Sequence, residues 1–187
     1  MADCTYLLLT GGAGTRLGED KAALVVAGRS LRSRLTAELP AGHTHELGVD
    51  FSGGPASAVV AYLPQVRTAL VALLAVDMPF AAPLVERLVA AWDQAVGYQG
   101  LVPIDVTGRE QWLSAVYSVD SLREASKDLW IEGRVQPGIA MKALVGGLRI
   151  SRVPLSEADS VMALDIDTPD DLAIVQEIMK EGHRHGT

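Results

Sequence analysis

The chain of 187 residues contains one cysteine, Cys4, so it has no internal disulfide framework and no cysteine-cluster metal site. Positive charge is also short: 16 lysines and arginines against 23 aspartates and glutamates leave a net charge of -7. That balance argues against a nucleic-acid-binding surface, which needs a basic patch, while a small anionic substrate can still be served by a few local cations. No apolar stretch approaches the ~20 residues of a membrane span without a charge or a proline, and no basic segment precedes the first apolar run. The expectation is a soluble, cytoplasmic protein with no membrane partner. What is present is apolar: 49% hydrophobic residues and a mean hydropathy of +0.22 describe a globular chain rather than a disordered one. Its length suits one domain, placed at residues 1–181, with 182–187 as a frayed tail.

The densest chemistry lies near the start. Tyr6 to Leu9 reads as a buried strand, and it empties into Thr10-Gly11-Gly12-Ala13-Gly14-Thr15-Arg16-Leu17-Gly18-Glu19-Asp20-Lys21. Glycines let backbone N–H groups approach an anion closely, and Arg16 and Lys21 add formal positive charge for phosphate oxygens. Two familiar phosphate loops do not fit. A P-loop needs Gly-Lys-Ser/Thr, but Lys21 follows Asp20 and precedes Ala22. A dinucleotide fingerprint needs glycine three residues after Gly14, and that position is Leu17.

Further along, Ser30 caps an expected helix to about Leu39, with Leu31, Leu35 and Leu39 on one face. An α/β unit would put its second strand in 43–52, yet no convincing apolar run stands there. His43 and His45 read as solvated loop residues rather than a metal site, since no further ligand cluster joins them. Pro55 opens a helix expected to reach about Val66. Ala69 to Val76 is the most hydrophobic run and reads as a central parallel strand buried on both faces. Asp77-Met78-Pro79 follows at its carboxyl end, where open α/β sheets bind ligands. Two readings of Asp77 stand: a magnesium ligand beside a triphosphate, or the cap of the next helix. That helix is expected over 83–96. Leu101 to Ile104 is a strand whose Pro103 suggests a sheet edge or a strand end, and 112–118 is expected to be its antiparallel neighbour. Helices are expected over 121–130 and 139–144, and a strand over 148–153. Thr168-Pro169-Asp170-Asp171 is a strong helix start, which leaves Asp165 and Asp167 unexplained, alternating with Leu164 and Ile166 in an extended segment.

Leu9-Thr10-Gly11-Gly12-x-x-x-Arg16-Leu17-Gly18-x-Asp20-Lys21-Ala22, Asp77-Met78-Pro79-Phe80, Arg109-x-Gln111-x-Leu113-x-Ala115-x-Tyr117 and Asp165-x-Asp167-Thr168-Pro169 are four motifs in order along nearly the whole chain. Together they resemble the molybdenum cofactor guanylyltransferases, which transfer GMP from GTP to molybdopterin. The resemblance implies a three-layer Rossmann-like nucleotidyltransferase fold, mainly parallel with one antiparallel strand. It implies that Leu9, Thr10, Gly11, Gly12, Ala13 and Gly14 wrap the nucleotide, that Arg16 and Lys21 grip its phosphates, and that Asp50 meets the base. It further implies Mg²⁺ on Asp77 and Asp167, with Asp165 as a third candidate, and Arg109, Gln111, Arg134 and Lys142 toward the pterin. Trp112 stands where the family usually has proline, and is either core packing or a stacking surface for a flat ring. Gly11-Gly12 favours the GTP-using branch, whereas Asp165 and Asp167 are more typical of the CTP-using one. The family normally has a longer segment, with a whole strand, where only 13 residues separate Leu39 from Gly53 here.

The expected function is therefore guanylyl transfer from GTP to molybdopterin with release of pyrophosphate, with molybdoenzyme-loading proteins as further partners. The alternatives are a CTP-using or sugar-phosphate nucleotidyltransferase, or a nucleotide-binding protein without catalysis.

Overall fold

A computed structural model describes residues 3–11, 20–48, 53–131 and 139–185 of the chain. Among these, six strands form one sheet, in spatial order β4 (Thr44–Leu47), β1 (Cys4–Leu9), β5 (Leu70–Ala75), β7 (Ser114–Ser118), β6 (Gly100–Ile104) and β8 (Ile150–Pro154). Its middle is made by β1 (Cys4–Leu9) and β5 (Leu70–Ala75), paired in parallel from Cys4↔Leu70 to Leu9↔Ala75. Every residue of both strands is buried, which is why β5, and β1 from Tyr6 onward, appear in sequence as unbroken apolar runs rather than alternating ones. Strand β7 (Ser114–Ser118) runs antiparallel to β5 and to β6 (Gly100–Ile104), and β8 (Ile150–Pro154) closes that side in parallel with β6. The expected mainly parallel sheet with one reversed strand is what forms.

Strand β4 (Thr44–Leu47) corrects the reading of 43–52 as strandless: it pairs in parallel with β1 from Tyr6↔Thr44 to Leu9↔Leu47. Only Leu47 is buried in it. An edge strand has one ladder partner and a wet margin, so a single apolar anchor suffices and no hydrophobic pattern is required. Tertiary contacts do the rest. Glu46 meets Arg32 and Thr36 of α1 (Leu31–Glu38), while the His45 ring lies 5.2 Å from that of Tyr62 in α2 (Pro55–Tyr62). His43 faces Asp3 instead, and no group of three metal-ligating side chains occurs among the described residues.

The connections take opposite faces. Leu31 and Leu35 of α1 pack in the core that includes α3 (Ala81–Ala91), Ile166 and Val175, whereas Ala56 and Val59 of α2 pack in the core with α4 (Val119–Ile131) and α5 (Met141–Val145). The chain thus leaves β1 over one face and returns to β5 over the other, which opens a crevice at the carboxyl ends of these two neighbours. Helix α3 begins at Ala81 with Phe80 in the cap position, so Asp77 is not its cap. Between the glycine loop and α1 lie a 3-10 turn, Lys21–Ala23, and a two-residue hairpin of β2 (Val25–Val26) with β3 (Arg29–Ser30). Ser30 caps α1 through the N–H of Ser33, as its sequence position implies. The last helix, α6 (Pro169–His185), begins at the proline of the expected helix start.

Pro103 lies inside β6 without being at the edge of the sheet. The ladder to β7 covers only Gly100 and Leu101; beyond them β6 faces its own continuation over 109–111, where the Gln111 carbonyl already takes the Ser114 N–H, so no donor is required of Pro103.

Candidate active site

The crevice holds a carboxylate, an ammonium and a second carboxylate in contact. Lys21 Nζ donates to Asp77 Oδ2 at 2.9 Å and to Asp167 Oδ1 at 2.5 Å. Three separate elements deliver these groups. Asp77 leaves the carboxyl end of β5, where the Val76 N–H bonds the Leu9 carbonyl at 3.1 Å. Lys21 opens the 3-10 turn that the Asp20 carboxylate caps through the N–H of Ala22. Asp167 precedes α6, and its loop is stitched to Asp77 by the Ile166 N–H on the Asp77 carbonyl at 2.9 Å.

The side chains of Lys21 and Asp77 are 16% and 25% exposed, sheltered enough to interact strongly yet open to a ligand. Burial works against the ammonium, but its hydrogen bonds to Asp167 and Asp77 outweigh burial and raise its pKa above the ordinary 10.5. The lysine is therefore charged throughout the physiological range.

Asp171, which sequence alone assigns only to a helix start, has a second task. Its Oδ2 accepts from the N–H and hydroxyl of Thr168, each at 2.8 Å, and from the N–H of Asp167 at 3.1 Å. The N–H of Asp171 returns a bond to Thr168 Oγ1, completing a reciprocal cap. Those bonds, from the Thr168 hydroxyl first, hold the Asp171 carboxyl below its usual range. The cap of α6 thereby fixes the backbone that carries Asp167.

Two clefts meet at this constellation. One, of about 250 Å³, is lined by Thr10, Gly11, Lys21, Gly54, Pro55 and Asp77. The other, of about 350 Å³, is lined among others by Asp77, Arg109, Trp112, Lys142, Asp165 and Asp167. Asp77 belongs to both, as do Ala75 and Leu113. Leu113 reaches this end of the sheet because β7 is reversed, and its carbonyl accepts from the Ala75 N–H at 2.8 Å.

A model of the MobA-like NTP transferase domain matches residues 43–137, which is 95 of the 187 residues. The chain belongs to this family. As a MobA-like domain it is a nucleotidyltransferase. Its fold is shared with molybdopterin-guanine dinucleotide biosynthesis protein A from Archaeoglobus fulgidus, with a TM-score of 0.76 at 20% identity, covering 95% of this chain and 99% of that one. It is also shared with 2-C-methyl-D-erythritol 4-phosphate cytidylyltransferase from Thermus thermophilus, with a TM-score of 0.61 at 21% identity, covering 93% and 98%. No curated protein matches in sequence.

Leu9, Thr10, Gly11 and Lys21, which precede the matched residues, gather with Asp77 around the smaller cleft. Gly12, Ala13, Gly14, Arg16, Asp50 and Arg134 lie outside the described residues. On the other side Arg109, Gln111 and Lys142 share the larger cleft, but in different ways. Arg109 is exposed and pairs with Asp165 at 3.0 Å. Asp165 is thus turned toward Arg109, and Asp167 alone of the two reaches Lys21. Gln111 is buried and its amide donates to Asp105 Oδ2 at 2.8 Å. Lys142 is exposed on α5. Trp112 packs against the core of α2, α4 and α5, the first of its two readings, and also lines the cleft.

Asp105 is a residue whose role here the sequence reading missed. Burial disfavours its charge, yet bonds from the Thr107 hydroxyl, the N–H groups of Arg109 and Thr107, and Gln111 hold its carboxyl below the usual range. That carboxylate folds 105–111 into a rigid turn and so sets the direction of Arg109. The sequence cue was Asp-x-Thr-Gly, in which aspartate bonds the backbone two residues on.

A divalent cation fits the pair of aspartates. Two hard carboxylate oxygens already converge on one cationic centre, and magnesium takes one or two carboxylates while keeping waters and phosphate oxygens as its other ligands.

Proposed function

We propose that this chain transfers GMP from GTP to the phosphate of molybdopterin and releases pyrophosphate. The observation that supports this best is the position of Asp77, beside Lys21 and Asp167, in the wall common to the two clefts. A group-transfer enzyme needs donor and acceptor on opposite sides of one charge-stabilising centre. In this reading Thr10, Gly11 and Lys21 hold the triphosphate in the smaller cleft. Arg109, Lys142 and Trp112 receive the anionic, flat pterin in the larger one. Asp77 and Asp167 would hold Mg²⁺, which when bound neutralises charge developing on the transferring phosphate. The acceptor oxygen bonds to the α-phosphorus as the bond to the pyrophosphate oxygen breaks. The protein makes no covalent bond of its own.

The test is pyrophosphate release with molybdopterin, offering GTP and CTP in parallel, for wild type and Asp77→Ala. The expected result is formation of the guanine dinucleotide by wild type and a loss of at least about a hundredfold in the variant. Turnover of CTP in preference would replace the base and keep the mechanism. Equal turnover by Asp77→Ala would overturn it.

A further inference from the structure

We propose that Lys21 is a built-in substitute for the metal ion, and that nucleotide phosphates must draw it off Asp77 and Asp167 before a divalent cation can settle there. This inference rests on the reading of the two aspartates as the metal site. The aspartates are held by backbone: Asp77 through the Ile166 N–H on its carbonyl, and Asp167 through its own N–H on Asp171. Lys21 is different. Its backbone is pinned in the 3-10 turn by the Asp20 cap, but its ammonium sits at the end of a four-carbon stem with three rotatable donors. The part free to leave is therefore the cation, while the two anions stay where they are.

Charge gives the order of events. One ammonium against two carboxylates leaves a net charge of minus one, so the pair still attracts a cation but is already partly satisfied. A divalent ion arriving alone must displace the ammonium, which stays tethered within a few ångströms and repels it. A triphosphate changes this, because Lys21 also lines the smaller cleft beside Thr10 and Gly11 and can turn to phosphate oxygens from the same backbone position. Metal and nucleotide then each raise the affinity for the other by the same factor, as linkage requires. Without nucleotide the site is closed by its own lysine, which keeps metal from being held idle between turnovers.

The probe is Mn²⁺ supplied as MnCl₂ alone, with free ion counted by electron paramagnetic resonance. Lys21→Met should bind Mn²⁺ about tenfold more tightly than wild type, and Lys21→Met/Asp167→Asn should lose that gain. Equal Mn²⁺ affinity in wild type and Lys21→Met overturns the proposal. If Lys21→Met does not fold, wild type alone decides. Mn²⁺ and the α,β-methylene analogue of GTP should tighten each other about tenfold, after correction for their complex in solution. Independent binding of the two overturns the idea. Pyrophosphate release is assayed separately, so a failed latch with intact turnover is distinguishable from a failed guanylyltransferase.

Discussion

Replacing Asp171 tests whether a helix cap also serves the candidate active site. In Asp171→Ala, Thr168 loses two hydrogen bonds and Asp167 loses the one on its N–H. A reciprocal cap of this kind is worth about 1 kcal/mol, and a negative charge in the first turn of a helix adds about 0.3–1 kcal/mol. The expected loss is about 1–2 kcal/mol, which for a chain of this size lowers Tm by about 3–6 °C. The carboxyl is held below its ordinary 3.8, so its contribution is present above that pH and is lost as pH falls through the depressed value. Acid melts of Asp171→Ala should therefore converge with wild type only as the pH falls below 3.8. The readout specific to Asp167 is the rate. A misplaced carboxylate should cost about tenfold in kcat, equivalent to about 1.4 kcal/mol, with a much smaller change in KM for the nucleotide. Asp171→Asn keeps an acceptor without the charge and should recover part of the rate. A variant that melts early but turns over at the wild-type rate would show that Asp167 does not depend on the cap.

Three further outcomes are expected. Arg109→Ala removes an exposed pair with Asp165 and should change stability by less than about 1 kcal/mol, while raising KM for the acceptor and not for the nucleotide in steady-state assays. Gly100→Ala places a methyl 2.7 Å from Ile150 Cδ1 and 2.8 Å from Tyr117 Cδ1, and the fully buried Tyr117 has little room to retreat; urea titration should show a loss of about 1–3 kcal/mol. Burial pushes the Cys4 thiol up to about 12 from 9.0, so folding disfavours the thiolate, and stability should fall as pH rises from 9 toward 12. That rise sets a ceiling of about 4 kcal/mol; denaturation curves of Cys4→Ala should lack the onset near pH 9, and Cys4 in the folded wild type should resist thiol reagents.

The sequence revealed the parts of this molecule in which burial is complete. Both β1 and β5 are dry on two faces, so their apolar runs and the aspartate after β5 are visible without coordinates. Thr-His-Glu-Leu of β4 is the opposite case. Its pairing depends on Arg32, Thr36 and Tyr62, partners set by the fold and not by any local period. The site divides in the same way. Lys21 and Asp77 announce themselves through glycines and through a strand end. The contact between them, and the difference between Asp165 and Asp167, come from the turn of one loop against β5 and the Arg109 hairpin. Gln111 was named only through the family resemblance, and its burial against Asp105 was not legible, because a polar side chain carries no apolar signal of its own burial.

The parting of β6 from β7 after Leu101 reaches beyond strand pairing. Past that point β6 folds back on its own continuation, with the Gln111 N–H on the Pro103 carbonyl, and the hairpin it forms walls the larger cleft. The smaller cleft draws its described wall from β1, β5, the residues after each, and the start of α2, and from this side of the sheet it takes only Leu113, just past the hairpin. Insertions or substitutions over 105–112 can therefore reshape one compartment while the other keeps its register. Such a layout lets a lineage exchange acceptors without rebuilding the machinery that holds the donor, making the gap in the sheet a seam along which specificity can diverge.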